Sequence, residues 1–196
     1  MTKVKLKEIA SICTGYPFRS RIERDPNGEV GVIQMKDIDD YNCLNLSDVY
    51  KVCSNYLYEK HLLKQDDILF CSRGVSHKMA VVTEEVDNCV AASPLMVIQV
   101  KSPKVNPAFL VWYFQQPDIQ KQINRLSEGT SLLMVSKSAL ETLVIDLPPL
   151  KNQKAIAQIA ALSQREQQII EKLAQRRKVY IDAVLMQKVV EVKHFQ

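Results

Sequence analysis

Glycine is scarce in this 196-residue chain, with 5 residues, and proline numbers only 8. That composition fits neither a collagenous repeat nor a low-complexity segment. Long hydrophobic runs are missing as well. The longest, residues 108–114, is far short of the roughly 20 residues a membrane-spanning helix needs. The opening Met1-Thr-Lys-Val-Lys-Leu-Lys-Glu8 alternates charged and apolar residues, so it lacks the continuous apolar stretch of a secretory signal. A soluble, cytoplasmic protein is expected. Cys13, Cys43, Cys53, Cys71 and Cys89 form an odd, scattered set without one C-x-x-C pair, which argues against a disulfide framework and against a zinc site. They are expected to be reduced and to act as small core residues.

The motifs of common enzyme classes are also missing. There is no G-x-x-x-x-G-K-[ST] phosphate loop, G-x-G-x-x-G turn, H-E-x-x-H pair or G-x-S-x-G elbow. No Asn/Asp-Pro-Pro-Tyr/Phe run is present, which an amino-methyltransferase would need to hold an extruded base. His61, His77 and His194 have no partner at metal-ligand spacing. One set of residues mimics a metal-dependent nuclease, Asp118 with Glu191 and Lys193, since carboxylates bracketing a lysine can hold a metal and position water. Its parts lie more than 70 residues apart, and a solvated helix face explains the second part. Catalysis, metal and cofactor are not expected of this chain.

What is present is a globular composition, 46% hydrophobic and 24% charged, enough for one ordinary domain or a domain with an appendage. The net charge of +4 is unevenly spread: +4 over residues 1–24, −5 over 25–70, zero over 71–150 and +5 over 151–196. A uniformly basic nucleic-acid binder is excluded, and any such binding must use local clusters. Residues 30–35, 67–71, 78–83 and 95–100 are short Val/Ile-rich or alternating runs and predict strands. Asp25-Pro-Asn-Gly28 predicts a turn, with Asn-Gly tolerant of positive φ. Helices are expected over 106–126 and, capped by Ser136, over 136–143. Strands with irregularly interspersed helices indicate an α+β fold.

Pro148 and Pro149 close this region. After them the chain has no Gly or Pro, and a helix is expected from about Asn152 to Val190, ~50–55 Å long. Its apolar residues Ile156, Ile159, Leu162, Ile169, Ile170, Leu173, Tyr180, Ile181, Val184 and Leu185 recur mostly at steps of 3 and 4, around a polar stretch over 163–168. This is an imperfect heptad seam. A helix–helix interface is preferred over a helix folded back on its own domain. The expected organisation is a globular domain over 1–150 and a long spacer or dimerisation helix over 151–196.

The segment Leu143-Val-Ile-Asp-Leu-Pro-Pro-Leu-Lys-Asn-Gln-Lys-Ala-Ile-Ala157, followed by a long helix, resembles the specificity (S) subunit of type I restriction–modification systems. Four further segments match that family's order: Leu6-Lys-Glu-Ile-Ala10 with Gly15-Tyr-Pro-Phe-Arg-Ser20; Val32-Ile-Gln-Met-Lys-Asp-Ile38; Leu63-Lys-Gln-Asp-Asp-Ile-Leu-Phe-Cys-Ser-Arg-Gly74; and Gly129-Thr-Ser with Val135-Ser136. A full S subunit carries two recognition domains and two spacer helices, whereas this chain has one of each. It therefore looks like a half-subunit or a fragment ending after the first half. The resemblance implies a non-catalytic DNA-recognition subunit for a bipartite target. Its expected partners are double-stranded DNA, a methyltransferase subunit that supplies the S-adenosylmethionine site, a restriction subunit in some assemblies, and a second copy through the C-terminal helix. A helix of ~50–55 Å spans about one and a half DNA turns of roughly 34–36 Å.

Base reading needs bidentate donors, and orientation needs contacts to phosphate. The segment from Tyr16 to Arg24 holds Arg19 and Arg21 near an aromatic, in a stretch too broken for core. Arg73, His77 and Lys78 sit in an expected loop in which Gly74 allows close backbone approach. Lys36 follows an expected strand, and Ser136 with Lys137 opens a helix whose amides can meet a phosphate. For each, a solvated surface residue is the alternative, and Tyr16 is equally suited to packing. Interface candidates are Ile159, Leu162, Ile169, Ile170, Leu173, Tyr180 and Val184. Arg165, Lys172, Arg176, Arg177 and Lys178 face DNA, an acidic partner or solvent; the pattern does not choose. Two other functions compete: a structural adaptor that dimerises without DNA, and the nuclease.

Overall fold

The run Ile68-Leu-Phe-Cys71 carries no polar residue to mark a solvent face, and all four side chains are buried. The reason is a sheet covered on both sides, seen in the computed structural model, which describes residues 2–53, 56–74, 76–82, 86, 88–128 and 133–193. The first elements are β1 (Thr2–Lys5), α1 (Leu6–Ile9), β2 (Ala10–Thr14), β3 (Val30–Ile33), β4 (Tyr50–Val52), β5 (Ile68–Cys71), β6 (Met79–Val81), β7 (Cys89–Ala91) and β8 (Leu95–Val100). Then follow α2 (Pro107–Phe114), α3 (Pro117–Arg125), β9 (Ser127–Glu128), β10 (Met134–Val135), α4 (Lys137–Glu141), β11 (Val144–Leu147) and α5 (Leu150–Lys193). The fold is α+β, as expected.

Four strands form an antiparallel sheet in the order β2-β8-β5-β6. A smaller sheet, β4-β3-β7, pairs β3 antiparallel to β4 and parallel to β7. Because side chains alternate along a strand, Ile12, Ile68, Phe70, Met79, Met96 and Ile98 point to one face of the larger sheet. There they pack with Phe109, Leu110, Phe114, Ile119 and Ile123 of α2 and α3, and with Leu6, Leu140 and Ile145. The alternate residues Leu69, Cys71, Ala80, Leu95 and Val97 meet Ile33, Ile38, Leu63 and Ala91 on the other face.

The chain divides into two compact units, Met1–Ala157 and Gln158–Gln196. In the first, hereafter the head, Gln153 of α5 is fully buried. Its Oε1 accepts from Asn106 N–H (2.9 Å), while Nε2 donates to the carbonyls of Lys104 (2.9 Å) and Pro148 (2.8 Å). In the second, Ile159, Leu162, Ile169, Ile170, Leu173, Tyr180 and Val184 all stand exposed, Leu173 at 67% and Tyr180 at 70%. Among the described residues no helix is long and apolar enough to cross a membrane.

Several expectations are corrected. The helix expected over 106–126 is two helices, because Pro117 lacks an N–H and its ring clashes with the preceding turn; Gln116 is accordingly extended (φ −65°, ψ 138°). Helix α5 has 44 residues and begins at Leu150, directly after the proline pair, since a first turn needs no N–H partner there. Its length is about 66 Å. Of the cysteines only Cys71 is a core residue; Cys89 is half-buried, and Cys13, Cys43 and Cys53 are exposed. Burial pushes the Cys71 thiol up to about 11. The 25–28 turn forms, with Gly28 N–H on Asp25 O (3.0 Å), but without positive φ at Asn27 or Gly28. Thr83, Gly129 to Ser131 and His194 lie outside the described residues.

Candidate nucleic-acid interface

Strand pairing decides where the basic segments emerge. Strand β2 is antiparallel to β8, with Thr14 opposite Met96, so it ends where β8 begins. Strand β5 does the same, with Cys71 opposite Leu95. Strand β7 turns into β8 through residues 92–94, and the parallel strand β3 ends level with it, Ile33 opposite Ala91. Backbone hydrogen bonds join these exits: Gly15 N–H to Leu95 O (2.8 Å), Tyr16 N–H to Ala91 O (2.7 Å) and Ala92 N–H to Ile33 O (2.8 Å). The segment before α4 joins through Val135 N–H to Ser72 O (2.9 Å), Gly74 N–H to Leu133 O (3.0 Å) and a bridge between Arg73 and Met134. The segments that start at residues 15, 34 and 72 thus open from one end of the sheets, together with residues 133–137. Gln153 is held beyond the other end of β8, by residues 104 and 106.

In the segment that leaves this end after Tyr16, Arg19 and Arg21 are exposed. Tyr16 packs edge-on against Phe18 (4.8 Å between ring centroids) and His61 (5.4 Å). Phe18 and Ile22 are half-buried on Val30, Val32, Val90 and Ala92, which corrects the view of this stretch as free of core. Its apolar side chains bind it to the smaller sheet and leave the arginines outward. Arg73 is exposed at the β5–β6 turn. Gly74 has φ +101°, and a Cβ there would meet nothing within 4 Å. L side chains rarely adopt that φ, so glycine serves the backbone conformation of this turn.

His77 is buried, 1% exposed, and is not a surface contact. Its Nδ1–H donates to Cys71 O (2.9 Å), its Nε2 faces Ser127 Oγ (3.4 Å), and its ring stacks on Phe70 (5.4 Å). Burial lowers its pKa below 6.5, against the opposing pull of the Cys71 bond. The imidazole therefore pins the loop that displays Arg73. Lys78 is half-buried and pairs with Asp40 (2.6 Å); that contact holds the Asp40 carboxyl below the usual carboxylate range.

Lys36 pairs with Asp37 (3.1 Å) and lies 4.2 Å from the centre of the Tyr50 ring. Arg24 lies 5.2 Å from the same ring and pairs with Asp48. This grouping of Lys36, Arg24 and Tyr50 is not legible in the sequence, because the three residues lie 12 to 26 positions apart. Ser136 Oγ accepts from Ala139 N–H (3.2 Å), which removes that amide from the set available to a phosphate. Lys137 pairs with Glu141 (3.8 Å). The acidic stretch therefore supplies Asp37, Asp40 and Asp48 as counter-ions at this end. Among the described residues Arg19, Arg21 and Arg73 have no ion-pair partner within 4 Å. Asp118 of the nuclease set is exposed and pairs with Lys121 (3.1 Å); the side chains of Glu191 and Lys193 lie outside the described residues.

The family model for the type I restriction modification DNA specificity domain matches residues 1–176. Solved structures share the fold. One, from work on complex assembly and conformational transition of the type I R-M system, has a TM-score of 0.64 at 17% identity, covering 87% of this chain and 40% of that one. The HsdS subunit from Thermoanaerobacter tengcongensis has a TM-score of 0.60 at 18% identity, covering 84% and 37%. The type I restriction–modification S subunit from M. genitalium has a TM-score of 0.54 at 16% identity, covering 82% and 38%. The chain thus spans about two fifths of the length of these relatives. On the match over residues 1–176, the chain belongs to the family of type I restriction–modification DNA specificity domains.

Proposed function

We propose that this chain is the non-catalytic DNA-recognition subunit of a type I restriction–modification complex, and that the loop end of its head reads one element of a bipartite duplex target. Residues 1–150 act as the target-recognition domain and 151–196 as spacer and interface. A methyltransferase subunit supplies the chemistry, and a restriction subunit joins the same assembly in the cytoplasm. The exposed stripe of α5 pairs with a second copy, so that two heads read an inverted, interrupted site. Arg19, Arg21 and Arg73 make the first contacts to phosphate or base edges. Lys36, Lys78 and Lys137 join by exchanging a carboxylate for a phosphate, and Tyr16 and His77 position the loops.

The observation that carries this reading is that four cation-bearing segments open from one end of the sheets, with the start of α5 locked beyond the other. The test is duplex DNA binding by the chain with its methyltransferase partner across a salt series. Affinity is expected to fall with log–log slope of about 0.9 per phosphate contact. Binding absent at low salt, or independent of salt, overturns the proposal and favours the adaptor.

A further inference from the structure

The stripe on α5 is not purely apolar. At 3.6 residues per turn, Ile159, Glu166, Ile170, Leu173, Arg177 and Val184 fall within roughly 30° of its centre. Glu166 and Arg177 therefore sit in the middle of the exposed apolar face, one acid and one base, 11 positions apart. An 11-residue spacing returns almost to the same face of a straight helix. Burying either charge without a partner is costly, so a surface that covers this face must place an acid over Arg177 and a base over Glu166.

We propose that the occupant is a second copy of α5, antiparallel, with its two-fold axis between Glu171 and Lys172; this rests on the self-association reading above and specifies its register. Reflection through that axis puts Glu166 on Arg177 of the second copy, twice. The same reflection sets Ile170 on Leu173, Ile159 on Val184 and Leu162 on Ile181. A bulky side chain meets a small one where Tyr180 falls beside Ser163. The axis also coincides with the centre of the stripe, as a two-fold contact requires. Other registers fail on charge. Sliding the partner so that Glu166 meets Ile170 puts Arg177 on Ile159, and sliding it the other way puts Glu166 on Val184 and Arg177 on Leu173. A parallel in-register pair sets Glu166 on Glu166 and Arg177 on Arg177.

The test is sedimentation equilibrium of the full chain with E166R, R177E and the double exchange, supported by disulfide trapping. Each single variant should weaken the dimer at least tenfold, and E166R/R177E should recover to within about threefold of wild type. An equimolar mixture of I159C and V184C chains should give a new 159–184 cross-link, mapped by peptide analysis against wild type. All substitutions lie on exposed helix positions, and unchanged circular dichroism checks folding. A monomeric wild-type chain overturns the self-association reading and this register together. A dimer in which the double exchange stays as weak as the singles, the singles have no effect, or I159C links to itself overturns the register alone.

Discussion

In the head Ile68, Leu69 and Phe70 are fully enclosed, whereas Ile170 and Leu173 of α5, no more polar, stand 58% and 67% exposed. The sheet carries an apolar layer on each face, and both layers find partners within residues 1–157. The stripe of α5 finds none within its own unit. Apolar periodicity therefore identifies a face in both regions but supplies its partner only in the head. The remaining stripe is of the kind that marks an interaction surface.

That contrast can be broken by truncation. Phe70→Ala should cost the head about 3–5 kcal/mol in urea unfolding. Leu173→Ala should change head stability by less than ~0.5 kcal/mol while weakening self-association. Equal losses of head stability from the two would erase the distinction.

Gln153→Ala comes next, because it strands Asn106 N–H and two carbonyls; a loss of roughly 1–3 kcal/mol is expected in the same assay. A variant as stable as wild type would mean that the start of α5 is fixed by apolar contacts alone.

A smaller effect should appear with pH. The folded pKa of His77 lies below its ordinary 6.5 because burial disfavours the imidazolium. As pH falls through 6.5 the unfolded chain takes up the proton first, so stability falls until the folded pKa is passed. His77→Gln should flatten that slope in melts between pH 7.5 and 5.5, and an unchanged slope would remove His77 as its source. Smallest of all, Lys78→Ala loses a largely exposed ion pair and should shift stability by under ~1 kcal/mol, leaving the head intact for binding measurements.

The legible parts of the sequence were those governed by near neighbours. Strands β3, β5, β6 and β8, the Ser136 cap and the proline-bounded start of the long helix follow from local pattern and backbone restriction. The break at Pro117 was equally local, but the crowd of aromatics before it and the Ile119/Ile123 pair after it concealed two helices as one. The gathering of basic loops was not legible, because it depends on the β2-β8-β5 order and on the parallel β3-β7 pair, contacts distant in sequence. His77 shows the same limit. Beside Ser76 and Lys78 it looks like a surface residue, yet its environment is built by Phe70, Cys71 and Ser127. The carboxylates that occupy Arg24 and Lys78 are a third case, since ion pairing across 24 and 38 positions leaves no periodic trace.

The most direct test of the account is the salt dependence of duplex DNA binding by Arg73→Ala/Lys78→Ala in the assembled complex. The loop-end interface predicts weaker affinity and a log–log slope shallower by about 0.9 for each phosphate that the variant no longer neutralises, with folding preserved. Wild-type affinity and slope in that double variant would contradict it.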